Sequence, residues 1–584
     1  MSSEPSLNFE NAVQIGRVAM VDTSRLFITV EDHNLLTQAA VGQLVAIQGQ
    51  TQHEFLIGLI ERVTRDIGER IGLDDEDETG ELQLSTSTDD AMRVVLIGTY
   101  KTVSGAKRNT FKRGADSFPQ IDRKCFLVIG RNLQNLMMLL CVEVKESERL
   151  DIGSFVIDPT ARAILNGDKF FQRHAAILGS TGSGKSWVVA LILEKASQLA
   201  HTNIIVFDLH GEYGPLSAKE GYAQSFRIAG PGDLDNPGED TLFLPYWLLN
   251  REELVSMLVD RSDNNAPNQA ARLTLHIRHL KEAMLRDLSK EDVLDTFTVD
   301  SPVPFDISEL VERLAADDEE RVAGTGNRDK QGEWYGKLTR LIARLENKLD
   351  DRRYGFLFQP SETCSDYMWL PNLVKKLLSA SSAEARGIKI IDFSEVPPDV
   401  LPVVIGMFAR VLYDVQFWMD PTARTPFAFV CDEAHLYLPV KEDADSVEKR
   451  ALQTFERIAK EGRKYGVALI PVSQRPSDVS KTILSQCNNF LILRLTNGED
   501  QNVVRRLVPD SMSGLTDLLS LLDVGEAIML GDAILLPSRI RLDAPTVRPS
   551  SATRAVWTDW SSLNSNEADL EEAVESLRRQ TRNR

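Results

Sequence analysis

Cysteine is scarce in this chain, with five among 584 residues: Cys125, Cys141, Cys364, Cys431 and Cys487. They are odd in number, scattered and form no C-x-x-C pair. That excludes a disulfide framework and points to reduced thiols in a cytoplasmic protein. Histidine is also scarce, eight in all and dispersed, so no His/Cys spacing fits a zinc site. A basic excess is missing: 66 Lys and Arg against 86 Asp and Glu give a net charge of −20. The chain is therefore not a general basic coat for nucleic acid, and any such site must be a local patch or pore. No apolar run approaches about 18 residues, so no membrane-crossing helix is expected. The opening MSSEPSLNFE lacks a basic segment followed by an apolar one, so no secretory leader is expected.

What is present is an ordinary globular composition, 42% hydrophobic and 26% charged. The length suggests about four domains. Within residues 1–150, the segments 12–30, 42–50, 54–63 and 91–100 are short, rich in Val, Ile, Leu and Phe, and separated by Gly, Asn and Asp. That spacing predicts a small barrel or sandwich. The acidic stretch 74–90, DDEDETGELQLSTSTDD, reads as a solvated loop. From about residue 151 the pattern changes. HAAILG (174–179) and NIIVFD (203–208) are buried-strand candidates, and the first runs through a Gly-rich loop into a helical stretch. More such strands come at 388–394, 427–433, 467–473 and 489–495. Strands alternating with helices predict an α/β core with a parallel sheet. Between its parts, 151–245 and 386–545, residues 246–385 carry apolar side chains at i, i+3, i+4 and i+7. They read as an inserted helical subdomain. The tail, 546–584, loses apolar density and ends in one short helical stretch.

The strongest chemical signal is Gly179-Ser180-Thr181-Gly182-Ser183-Gly184-Lys185-Ser186, a G-x-x-x-x-G-K-[ST] loop with a strand before it and a helix after it. Its glycines let backbone N–H groups curl around a phosphate, and the helix N-terminus adds a positive dipole end. Lys185 suits the β- and γ-phosphates, and the Ser186 hydroxyl suits Mg²⁺. Asp432-Glu433 closes the apolar strand before it. Asp432 there suits a metal, directly or through water, and Glu433 suits general-base activation of water. Ser473-Gln474 follows another apolar strand and suits sensing of the γ-phosphate. The run 456–466 is dense in cations. Arg463, more than Arg457, is a candidate to reach a neighbouring subunit's nucleotide, and Arg173 is a second candidate. Glu212 and His210 follow the strand 203–208 and could face the nucleotide. Basic loops occur at Lys101, Lys107, Arg108, Lys112 and Arg113 and at Lys449-Arg450. They gain force for nucleic acid only if a ring repeats them around a channel.

Five stretches together resemble the HerA family, in the FtsK/HerA division of P-loop ATPases: ILGSTGSGKS (177–186), FDLHGEY (207–213), VCDEAH (430–435), the run 457–497 and VGEAIMLGDAILLPSRI (524–540). The resemblance implies a RecA-like core with an N-terminal β-barrel and an inserted helical subdomain. It implies ATP and Mg²⁺ as cofactors and a homohexameric ring that encircles and moves duplex DNA. It also implies hydrolysis at subunit interfaces with an arginine acting in trans, and work alongside a nuclease or an NAD-degrading effector, in antiphage defence or DNA end processing. The matching residues here are Lys185, Ser186, Asp432, Glu433, Gln474 and Arg463, with Arg173 the looser match. The loop 74–90 and the tail match no motif. An alternative with the same site residues is a ring scaffold that uses ATP as a switch to assemble and gate an effector. A membrane-docked conjugation-type ATPase is disfavoured by the expected lack of a spanning helix.

Overall fold

The computed structural model describes residues 7–581 except 11, 23–24, 31, 52–53, 73–82, 102–108, 115–116, 142–145, 220, 324–328, 381–385, 441–447, 509–512, 535, 552–555 and 563–566. The chain divides into two compact units, each drawing on separated stretches. The first comprises Met1–Lys195, Gln474–Ser477 and Cys487–Pro545. The second comprises Ala196–Ser473, Asp478–Gln486 and Thr546–Arg584.

In the first unit, β1 (Gln14–Asp22), β2 (Arg25–Thr29), β3 (Leu44–Gln48), β4 (Glu54–Gly72), β5 (Gln83–Lys101), β6 (Thr110–Arg113) and β7 (Lys124–Leu127) form one antiparallel sheet. Its order is β2-β1-β7-β3-β4-β5-β6, and β2 pairs again with β5, from Arg25↔Val95 to Thr29↔Ala91. That second pairing closes a barrel and leaves β6 as an appended edge. The closure follows from period-two patterning, which sends alternate side chains inward. Ile15, Val18, Leu26, Ile28, Val45 and Ile47 are among those filling the core. The acidic stretch does not form a loop throughout: residues 83–90 belong to β5 and pair with 65–72 of β4. A polar strand is held there by its backbone ladder and has no apolar alternation to announce it. The rest of that stretch, like Lys107 and Arg108, lies outside the described residues.

The same unit carries β8 (Arg149–Phe155), β9 (Arg162–Asn166), β10 (Ala175–Leu178), β19 (Asn489–Ile492), β20 (Glu526–Gly531) and β21 (Ser538–Leu542), in the order β10-β19-β20-β21-β8-β9. The β10–β19 pair is parallel, and the pairings from β19 onward are antiparallel. Asn489 pins the start of β19. Its amide donates to the carbonyls of Lys169 (2.9 Å) and His174 (3.2 Å), and its oxygen accepts from Ala533 N (2.7 Å).

The second unit is built on parallel strands β11 (Ile204–Asp208), β12 (Ala223–Ile228), β13 (Thr241–Leu242), β16 (Ile388–Asp392), β17 (Phe427–Cys431) and β18 (Val467–Ser473), in the order β13-β12-β16-β11-β17-β18. A small hairpin, β14 (Arg321–Ala323) with β15 (Asp329–Gln331), lies among helices that include Arg251–Leu258, Ala266–Asp287, Ile307–Asp318 and Thr339–Asp350. Near-continuous apolar runs make both faces of these strands bury. The Phe207 ring sits 5.3–6.5 Å from those of Phe393, Phe408, Phe429, Tyr437 and Phe455. One described helix, Leu401–Trp418, is long and apolar enough to cross a membrane by length and composition alone. Two-thirds of it is buried, and its Phe408 packs on Phe207 of β11. Core burial accounts for that composition. Cys125, Cys364, Cys431 and Cys487 are buried and outside any disulfide among the described residues.

Candidate nucleotide site

In the first unit the glycine loop leaves β10 and enters the helix Lys185–Ser197. Gly182 and Gly184 adopt φ of 74° and 101°, a region that side chains disfavour. A Cβ on Gly179 would lie 2.6 Å from Ser183 Oγ and 2.8 Å from Leu493 Cβ, so only glycine fits against β19. The loop is anchored from the other side. Ser180 N donates to Arg494 O (2.9 Å), and Thr496 N donates to Ser180 Oγ (3.2 Å). Lys185 Nζ rests 3.3 Å from the Ser180 carbonyl, inside its own loop. Ser183 Oγ is buried and has no hydrogen-bond partner. A cationic head over a curled backbone at a helix N-terminus, with a buried hydroxyl left over, fits a polyphosphate. Gln474 belongs to this constellation, since Thr181 Oγ1 donates to its side-chain oxygen at 2.5 Å.

In the second unit the carboxyl ends of adjacent parallel strands gather acids. Asp432, directly after β17, is almost wholly buried. Burial, and then the charges of Glu433, Asp208 and Glu212, push its pKa up to about 8. Asp208, at the end of β11, is pushed up to about 6 by burial, with Asp392 of β16 adding to the rise. The backbone N–H groups of Tyr213 (2.9 Å), Glu212 (3.0 Å) and His210 (3.3 Å) oppose that rise by donating to its carboxylate. Glu433 takes a left-handed backbone, φ 44° and ψ 44°. A non-glycine residue there is uncommon and marks a constrained turn. Its N–H donates to Asp432 Oδ1 (2.9 Å), and the Tyr437 hydroxyl donates to the Asp432 carbonyl (3.0 Å). His435 Nδ1 stands 3.3 Å from Glu433 Oε2 and 3.4 Å from Ser473 Oγ, at the end of β18. Asp432 and Asp208 are hard-oxygen donors whose proton affinity is raised by burial first and by neighbouring charge second, and such donors suit a divalent cation. Among the described residues, no group of three or more His, Cys, Asp or Glu is placed to hold a metal ion by itself.

The remaining candidates fall elsewhere. Arg463 is exposed, in the short turn Gly462–Tyr465 that ends at Gly466 with φ 74°. Arg457 pairs with Asp414 (3.2 Å) and lies over the rings of Tyr413 and Phe417 at 5.1 and 5.4 Å, so its charge is engaged within its own unit. Arg173 is ion-paired with Asp532, which Arg113 also approaches at 3.4 Å. Lys101 pairs with Glu54 (3.1 Å) and Arg450 with Glu252 (2.6 Å). His210 is exposed and Glu212 half-buried. Sequence reasoning gave no role to Asp208, His435 or Tyr437. Asp208 carried the same sign that exposed Asp432, a carboxylate closing a buried apolar strand. His435 and Tyr437 carried none.

Residues 150–412 match the family model described as the central domain of helicase HerA. A probable helicase of Methanocaldococcus jannaschii is 26% identical over 494 residues, covering 84% of this chain and 83% of that one. The DNA double-strand break repair helicase HerA of Pyrococcus furiosus is 26% identical over 428 residues, covering 68% and 70%. Among solved structures, VirB4 of Thermoanaerobacter pseudethanolicus aligns with a TM-score of 0.46 at 17% identity, covering 69% of this chain and 98% of that one. The chain therefore carries, over residues 150–412, a domain that matches the central domain of helicase HerA, and the glycine loop lies within it.

Proposed function

We propose that this protein is a cytoplasmic ATP-driven homohexameric ring motor that moves or unwinds duplex DNA and works with a nuclease or another effector such as an NAD-degrading enzyme. The observation that carries the ATPase part is the glycine loop: Gly182 and Gly184 take positive φ, Gly179 has no room for a Cβ, and the Lys185 ammonium lies against the loop's own Ser180 carbonyl. In this reading residues 179–184 wrap the phosphates and Lys185 turns from the Ser180 carbonyl to the β- and γ-phosphates. Ser186 and Asp432 hold Mg²⁺, which when bound neutralises charge on the phosphates. Glu433 takes a proton from the attacking water. Gln474, already on Thr181, reports the presence of the γ-phosphate. The exposed Arg463 stabilises charge in the neighbouring subunit's transition state, and Arg173 is its alternate. The relatives named as DNA double-strand break repair helicases support duplex DNA as the substrate and end processing as the setting; antiphage defence is a second setting.

The test is steady-state ATPase activity with and without duplex DNA, on particles sized by mass photometry. A six-membered ring with strong DNA stimulation is expected. Lys185→Ala abolishes nucleotide binding or turnover. Glu433→Gln binds ATP with turnover lowered ~10²-fold or more, the range for a lost general base. Wild-type turnover in Glu433→Gln would refute its role. One observation favours the scaffold reading: Lys101, Arg113 and Arg450 are each paired with a carboxylate in their own chain. Slow, DNA-indifferent turnover in an intact ring would favour it.

A further inference from the structure

Glu433 sits on a left-handed kink immediately after β17, and a glutamate side chain has three rotatable bonds. A catalytic carboxylate there needs something to aim it. The structure offers His435 as a candidate. His435 lies two residues on, and its Nδ1 is 3.3 Å from Glu433 Oε2. Both side chains are only 12% exposed. The same Nδ1 is 3.4 Å from Ser473 Oγ, and Ser473 is fully buried at the end of β18. The Glu433 backbone is held too, because its N–H is tied to Asp432 Oδ1.

The chemistry of Nδ1 makes this arrangement exclusive. A carboxylate only accepts, so Nδ1 serves Glu433 only when it carries the ring proton. A serine hydroxyl can donate, and Nδ1 accepts from Ser473 only when it carries none. One nitrogen therefore answers to two oxygens, and strengthening one contact weakens the other. Ser473 is covalently next to Gln474, whose side chain holds Thr181 of the glycine loop.

We propose that His435 is a positioning residue that aims the Glu433 carboxylate, and that Ser473 sets its hold by competing for the same nitrogen. This rests on Glu433 being the general base. Asn is the conservative substitute, because its side-chain amide can occupy the place of Nδ1.

The experiment measures ATPase kcat and KM for the full-length ring carrying His435→Ala, His435→Asn, Ser473→Ala, the double variant His435→Ala/Ser473→Ala, and Glu433→Gln. Loss of an orienting contact at constant ATP binding should lower kcat ~10-fold in His435→Ala with KM within about twofold. His435→Asn should recover most of that loss. The double variant should be no slower than His435→Ala if Ser473 bears on Glu433 through the imidazole. Wild-type kcat in His435→Ala, with Glu433→Gln inactive, overturns the proposal and leaves the general base intact. Wild-type kcat in Glu433→Gln overturns the general base and the proposal with it. Multiplicative losses in the double variant overturn the link to Ser473. If His435→Ala fails to assemble, His435→Asn and Ser473→Ala still decide: the first should run near wild-type kcat, and the second should change kcat without changing KM. A kcat equal to wild type in Ser473→Ala, or a slow His435→Asn that melts like wild type, counts against it.

Discussion

Replacing Asp432 with Asn should make the nucleotide-free protein more stable while removing activity. Asp432 is buried, and in the folded chain its pKa is pushed up to about 8 by desolvation and by the charges of Glu433, Asp208 and Glu212. In the unfolded chain it titrates near 4. Between about pH 4 and pH 8 the folded state binds more protons at this site than the unfolded state, so stability falls as pH rises. Each tenfold change in proton affinity is worth ~1.4 kcal/mol, which puts a ceiling of ~5 kcal/mol on the cost at pH 8. Solvent reaching the acids reduces that, and a gain of ~2–3 kcal/mol for Asp432→Asn at pH 8 is the expectation. The asparagine keeps the oxygen that accepts from the Glu433 N–H at 2.9 Å, so the turn need not be rebuilt. The assay is urea unfolding of both proteins in EDTA at pH 5 and pH 8. The advantage of the variant should shrink toward pH 5. Saturating Mg²⁺ and ATP should stabilise the wild type more than the variant. A variant no more stable than wild type at pH 8 would refute the claim that uncompensated carboxylate burial is what the cation relieves.

Two further substitutions separate local sterics and buried charge from catalysis. Gly179→Ala places a methyl 2.8 Å from Leu493 Cβ, which the Leu493 N–H bond to the Leu178 carbonyl (2.8 Å) holds in place, so the loop must shift. ATP affinity measured with a fluorescent analogue should fall at least ~10-fold, with a stability loss of ~1–3 kcal/mol from overpacking. Gly182→Ala meets nothing within 4 Å and should lose only the ~1 kcal/mol of its φ of 74°. Equal effects of the two would contradict the steric argument. Arg410 grips both carboxylate oxygens of buried Glu253 at 2.8 Å and donates to Leu248 O at 2.7 Å. Arg410→Met should cost ~3–5 kcal/mol in urea unfolding by stranding Glu253, and adding Glu253→Leu should recover most of it. A loss below ~1 kcal/mol in the single variant would show that the charge is not stranded.

The fold class was legible because its signals are local. Period-two segments announced the barrel, and an apolar strand running into a glycine loop and a helix announced the nucleotide core. The β5 segment 83–90 escaped because its sequence, polar but for Leu84, carries no apolar alternation, while its backbone still pairs with 65–72 of β4. Helix Leu401–Trp418 escaped because its Arg410 and Asp414 look like solvated positions in sequence, yet Arg410 is drawn inward by Glu253. Partners remote in sequence were equally unreadable. Arg173 looks like a free cation until Asp532 is placed beside it.

The site itself was legible where chemistry depends on residue type and illegible where it depends on direction. Lys185, Asp432 and Glu433 stand out by kind. His435 does not, because the left-handed turn at Glu433 decides where a side chain two residues later points, and nothing in VCDEAH announces that turn. The pair Ser473-Gln474 makes the same point more sharply. Read as a sequence, it is one polar dipeptide at a strand end with one role. Successive side chains leaving a strand point to opposite sides. Ser473 accordingly meets His435, while Gln474 meets Thr181 of the glycine loop. What reads as a single sensor is two side chains with different partners, one on the imidazole of His435 and the other on the hydroxyl of Thr181.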